Sequence, residues 1–174
     1  MLVAPLPLLS QTITPLPLRH VEITFRTRVS NAPDFTGRVT AAAAEFRGGD
    51  LAMVQGHVEF RAADMLTGIG ARDGHLRRTL NADSFPTIRF ELVGVDPQPA
   101  RGDTVPLTYQ GHLTIHGVTR TMRVPGTVVL RPGSAEIRAN FPLDMREFGV
   151  EPPVRLLARV QPVVEIVVNL VFGQ

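Results

Sequence analysis

The sequence has no cysteine, no lysine and no tryptophan, and only one tyrosine. Without cysteine there is no disulfide framework, no thiolate metal site and no cysteine nucleophile. Without lysine, every cation is an arginine, and the 18 arginines stand against 16 acidic residues for a net charge of +2. They are scattered from Arg19 to Arg159 and form no block. Nucleic-acid binding calls for a dense basic stripe with aromatics beside it, so that class is set aside. No apolar run reaches the ~20 residues of a membrane-crossing helix. Also missing are a G-x-S-x-G turn, an HExxH helix and a glycine-rich loop between strand and helix.

The chain has 174 residues, 44% hydrophobic and 20% charged, which is the profile of one globular domain with a sizeable core. Positions 1–18 are apolar and rich in proline, and Pro5 and Pro7 interrupt the run. This segment lacks the positive start and small-residue cleavage site of a secretory signal. It reads as an extended arm ahead of a domain at 19–174, as a mature N-terminus with an added Met, or as a gene start placed wrongly.

The dominant signal is alternation with period two, which places successive side chains on opposite faces of a strand. Val21, Ile23, Phe25 and Val29 alternate with Glu22, Thr24, Arg26 and Arg28. A weaker, alanine-rich strand is expected over 36–46, followed by a turn at Gly48-Gly49-Asp50. Val54 to Ala62 alternate again, as do 87–92, 105–115, 137–143 and 164–172. Met122, Val124, Val128 and Leu130 form a further strand with a bulge expected at Pro125-Gly126. Between them, Ala71 to Leu80 reads as a short helix, with Leu76 and Leu80 on one face and Asp73 near its positive end.

Strand follows strand across short turns, so pairing is antiparallel. The expected fold is all-β: an eight-stranded antiparallel barrel with a short helix over one end. Closure removes exposed edges, and eight strands leave room for side chains or one small ligand. Gly37, Ala41, Ala43, Gly56, Ala62, Gly111 and Ala139 are small residues placed in or near the interior. They either leave room for a ligand or mark bends and close strand contacts.

Three segments carry a family resemblance. The first is Arg72-Asp73-Gly74-His75-Leu76-Arg77, followed by Ser84-Phe85-Pro86-Thr87-Ile88-Arg89-Phe90. The second is Gly111 to Arg120, GHLTIHGVTR, and the third is Phe148-Gly149-Val150. In this order and spacing the chain resembles the YceI-like family of polyisoprenoid-binding proteins, over roughly residues 20 to 172. It departs from the family pattern at Met145, where an arginine is common; here Arg146 follows one place later.

The resemblance implies a lipocalin-like barrel with an internal tunnel for a long isoprenoid chain, a polyprenyl lipid or a quinone precursor. It implies binding or carriage without catalysis or cofactor, often in the periplasm or after secretion. With no clear signal segment here, a cytoplasmic location is the other expectation. A homodimer is a further expectation, with Val163, Val167 and Val171 as outward apolar positions. The expected tunnel lining is Ile23, Phe25, Val58, Phe60, Leu76, Leu80, Ile88, Phe90, Leu113, Ile115, Phe141 and Ile166. Arg72, Asp73 and His75 are head-group candidates at the mouth. Equally, they suit a helix start held to a nearby loop by pairing.

Two other function classes are open. Asp73, His75 and Ser84 could be imagined as a hydrolytic triad, although no strained nucleophile turn or oxyanion hole accompanies them. A barrel with a filled interior would instead serve as a protein-interaction module; an open apolar tunnel would count against that. No metal is expected. His112 and His116, four apart on a strand, are roughly 13 Å apart. Each ligand of one zinc must lie about 2 Å from it.

Overall fold

Alternating strands need partners for both edges and cover for one face, and here a single curled sheet supplies both. The structure, a computed structural model, describes residues 17–47 and 51–173. Residues 1–16 of the expected arm, the Gly48-Gly49-Asp50 turn and Gln174 lie outside it. Among the described residues there are eleven strands and one α-helix: β1 Leu18–Ser30, β2 Phe35–Val39, β3 Ala43–Arg47, β4 Gln55–Arg61, β5 Met65–Leu66, α1 Gly70–Thr79, β6 Thr87–Pro97, β7 Thr104–Ile115, β8 Val118–Arg131, β9 Ser134–Asp144, β10 Val154–Arg155 and β11 Ala158–Gly173.

The ladder runs β3-β4-β6-β7-β8-β9-β11-β1-β2-β5, every pair antiparallel, with β10 folded back on β11. This is the expected antiparallel barrel with a short helix, but with eleven strands rather than eight. The excess has a physical cause. The run over 36–46 crosses between the two ends of the sheet at residues 40–42, so it yields β2 and β3. The two-residue strands β5 and β10 are too short to show alternation. The arm boundary also shifts, since Leu18 already pairs with Phe172 in the sheet.

The chain itself bridges the gap between the two ends of this sheet. It crosses once from β2 to β3, and again from β4 through a 3-10 turn, Ala62–Asp64, to β5. The amide and the hydroxyl of Thr40 both donate to the Asp64 carbonyl, at 2.9 and 3.1 Å, and tie the crossings together. Edges that would otherwise recruit another chain are thereby short and covered.

Inward glycines hold aromatic rings instead of leaving space, whereas Ala139 does border the open interior. A Cβ on Gly37 would meet the Phe25 ring, on Gly56 the Phe46 ring, on Gly111 the Phe90 ring and on Gly126 the Tyr109 ring. Each ring lies across a glycine on a neighbouring strand, which lets the strands approach and the ring lie flat. Ala41 and Ala43 are exposed, not interior. The bulge expected at Pro125-Gly126 is also absent, because β7 and β8 pair in unbroken register from Thr104 to Ile115. Gly126 serves the Tyr109 ring, whose hydroxyl donates to the Thr127 carbonyl at 2.7 Å.

Two packed clusters lie inside. One surrounds Phe148 and Leu113 and includes Ala62, Leu80, Ile88 and Val150. The other joins Leu92, Leu107, Tyr109, Val124 and Val128. The half-buried Phe90, Met122 and Phe141 touch both.

Candidate functional site

The interior between and beside these clusters is open. A cavity of about 800 Å³ runs through the barrel, within the range of sites that take one small-molecule ligand. Its wall is almost wholly hydrocarbon. All twelve side chains expected in a lining border it: Ile23 and Phe25 from β1, Val58 and Phe60 from β4, Leu76 and Leu80 from α1 and its C-terminal cap, Ile88 and Phe90 from β6, Leu113 and Ile115 from β7, Phe141 from β9 and Ile166 from β11. Period two dictates this, since every second side chain of each strand faces the same interior.

The mouth lies where bordering residues become exposed. These are Ala32 and Pro33 in the β1–β2 turn, Ile69 and Ala71 at the start of α1, and Pro153, Val154 and Arg155 at β10. None of the β10 residues was signalled by the sequence. The only mark of that hairpin is Leu156-Leu157 between Arg155 and Ala158, which contains no Gly, Asn or Asp.

The RDGHL segment divides between cavity and scaffold. Asp73, 8% exposed, does not border the cavity. Its carboxylate accepts from the Thr67 hydroxyl at 2.6 Å and the Thr67 amide at 2.7 Å. These bonds, the hydroxyl's first, hold its pKa below the usual carboxylate range, aided by Arg77 and Arg72 nearby. Arg72 borders the cavity with its guanidinium 4.4 Å from the centre of the Phe35 ring. His75 also borders it, with Arg155 Nη1 2.7 Å from Nε2 and Arg78 Nη2 2.9 Å from Nδ1. Ser84 is exposed, and neither it nor Asp73 is hydrogen-bonded to His75 among the described residues. The imagined triad is not brought together.

The other motif segments meet at one end of the barrel. His116 and Gly117 form the two-residue turn between β7 and β8 with φ of 53° and 73°. Positive φ at both central positions suits strand twist in a tight hairpin, and glycine supplies it without strain. The Phe85 ring packs edge-on to His116, 4.8 Å between ring centres, and lies over Gly117. Arg120 Nε donates to the Glu147 carbonyl at 2.8 Å. That carbonyl belongs to a 3-10 turn, Met145–Phe148, which Asp144 caps by accepting from the Arg146 amide. Gly149, at φ 67°, then turns the chain so that Phe148 and Val150, 1% and 2% exposed, both enter the core. His112 instead lies 3.2 Å from the Thr121 hydroxyl, away from this turn.

Comparisons with known proteins agree with this geometry. The YceI-like domain model matches residues 14–172. No curated protein matches the sequence. Among solved structures, Burkholderia cenocepacia BcnA superposes with a TM-score of 0.72 at 20% identity, covering 87% of this chain and 95% of that one. A domain from Saccharophagus degradans, described as polyisoprenoid binding and implicated in plant cell wall breakdown, gives 0.72 at 13% identity, over 91% and 97%. The Campylobacter jejuni YceI protein gives 0.65 at 13% identity, over 99% of both chains. At such identities the likeness is one of fold, whereas the family match spans nearly the whole sequence and all three motif segments; the chain belongs to the YceI-like family.

Proposed function

We propose that the protein binds a long polyisoprenoid lipid non-covalently in the barrel and carries it without chemical change. The observation that carries this reading is the 800 Å³ cavity with its hydrocarbon wall. A polyisoprenoid offers little but hydrocarbon, and each buried methylene contributes about 0.8 kcal/mol. Some ten methylenes' worth of contact corresponds to about −8 kcal/mol, or micromolar binding, without any polar group. The Saccharophagus domain's description supports the isoprenoid class. Arg72 and His75, which border the cavity near its mouth, are the residues proposed to meet the head group. Asp73 acts behind them by fixing the start of α1 through Thr67.

The open interior counts against a solid-cored interaction module. The separation of Asp73, His75 and Ser84 counts against hydrolysis. The test is mass spectrometry of an organic extract of the purified protein, with a delipidated control. A stoichiometric isoprenoid is the expected result. Absence of lipid, together with failure of the delipidated protein to take up a polyprenol, would overturn the proposal.

A further inference from the structure

The two most exposed large apolar side chains among the described residues lie together beside the cavity mouth. Leu156 is 96% exposed and Leu157 84%, with Val154 at 61% and Ile69 at 50% beside them. Leu156 and Leu157 are the two turn residues between β10 and β11, since Arg155 pairs with Ala158. Leu156 has φ 54°, and Leu157 is not at positive φ. Positive φ at the first central residue alone is the pattern of a type II′ turn, where glycine is the usual occupant. Leucine there costs backbone strain as well as exposed hydrocarbon, when a polar turn would cost neither. The turn is nonetheless anchored: Asn31 Nδ2 donates to the Leu157 carbonyl at 3.1 Å, from the β1–β2 turn beside it, where Ser30 pairs with Arg159.

Around this tip arginines outnumber carboxylates. Arg155 and Arg159 are on the hairpin itself, and Arg72, Arg77 and Arg78 are on α1, joined to it through His75. Elsewhere seven arginines pair with carboxylates, but none of these five has one within 4.0 Å among the described residues. Of the nearby acids, Asp34 pairs with Arg26 and Asp73 is held by Thr67.

We propose that the Leu156–Leu157 tip, with Val154 and Ile69, inserts into the surface of an anionic lipid bilayer and seats the cavity mouth on it. The inference rests on the lipid-binding reading of the cavity. A ligand that is nearly all hydrocarbon resides in a bilayer, and a mouth pressed to that bilayer receives it without passage through water. Leucines supply the apolar insertion and the five arginines supply attraction to acidic head groups, the two components of interfacial binding.

The test is co-sedimentation with vesicles of phosphatidylcholine and phosphatidylglycerol, against vesicles of phosphatidylcholine alone. The protein is expected to pellet with the first, less with the second, and less in high salt. The Leu156→Gly/Leu157→Asn variant gives the turn residues suited to it, so it folds. Its partitioning is expected to fall about tenfold or more, since partial burial of each leucine contributes roughly that factor. Solanesol delivered on cyclodextrin should enter both proteins equally, while uptake from vesicles should be slower in the variant. Equal sedimentation of variant and wild type, or no sedimentation of the wild type, would overturn the docking tip. So would a tip-dependent dimer without vesicle binding. If solanesol on cyclodextrin enters neither protein, the cavity reading fails, and vesicle sedimentation still decides the tip on its own.

Discussion

Arg155 Nη1 lies 2.7 Å from His75 Nε2 and so joins the β10–β11 hairpin to α1 across the mouth of the cavity. Arg78 approaches the opposite ring nitrogen. A neutral imidazole has one acceptor nitrogen, so it accepts from one guanidinium at a time. The joint is therefore one exchangeable hydrogen bond between two exposed elements, suited to opening.

Arg155→Ala is predicted to loosen the mouth without loosening the barrel. An exposed polar contact of this kind contributes less than about 1 kcal/mol. The melting temperature should hardly move, while both uptake and release of a fluorescent polyprenol should quicken. Stopped-flow exchange checks this; unchanged rates would mean that the joint does not gate the ligand.

Asp73→Asn is predicted to destabilise the protein at neutral pH and to do so progressively less in acid. The folded carboxylate is more acidic than in the unfolded chain because Thr67 donates to it twice. Its contribution is thus present above the unfolded value of about 3.9 and disappears as pH falls through the lower folded value. Urea titrations of both proteins at pH 7 and below pH 4 should show the gap closing. Thr67→Val, which removes one donor to that carboxylate, should cost about 1–2 kcal/mol at pH 7.

Enlarging two inward positions should give opposite outcomes. Val58 borders open space, so Val58→Trp is predicted to fill cavity volume with little loss of stability. Displacing even two methylenes' worth of ligand contact should weaken polyprenol binding about tenfold or more. Gly111 has the Phe90 ring and the Glu91 carbonyl in the way of any Cβ. Gly111→Ala should therefore cost about 1–3 kcal/mol in stability. Thermal melts and ligand titration of the pair would separate lining from scaffold.

That pair also marks where the sequence stops being legible. Alternation tells which face of a strand a residue occupies, and it placed Ile23, Phe25, Val58 and Ile166 correctly on the cavity side. It does not tell how a ring on one strand leans over its neighbour. From alternation alone Gly37, Gly56 and Gly111 suit ligand room or a close strand contact alike; the structure makes them seats for Phe25, Phe46 and Phe90. The strand count was short for a related reason: a pattern of period two needs several residues, and β5 and β10 have two each. Arg155, Leu156 and Leu157 include none of the residues that usually signal a turn. Their turn uses leucine where turn chemistry favours glycine, so local rules pass over it. The motif residues were easy to find but mixed in role. Arg72 and His75 border the cavity, whereas Asp73, Arg120 and Gly149 build the frame.

Phe148 tests that frame most directly. It is 1% exposed, belongs to the cluster beneath Leu80 and Leu113, and also borders the cavity. Two devices hold it there: the Asp144 cap at the start of its 3-10 turn, and Gly149 at positive φ after it. Phe148→Ala is predicted to cost about 3–5 kcal/mol, the usual range for a buried phenylalanine. Arg120→Ala removes only the bond to the Glu147 carbonyl from an exposed site and should cost about 1 kcal/mol. Because the void left by Phe148 opens onto the existing cavity, bound polyprenol can contact part of it. Saturating ligand should therefore raise the urea midpoint of Phe148→Ala by more than it raises that of the wild type. Equal shifts would show that the ligand does not reach the Phe148 end of the barrel.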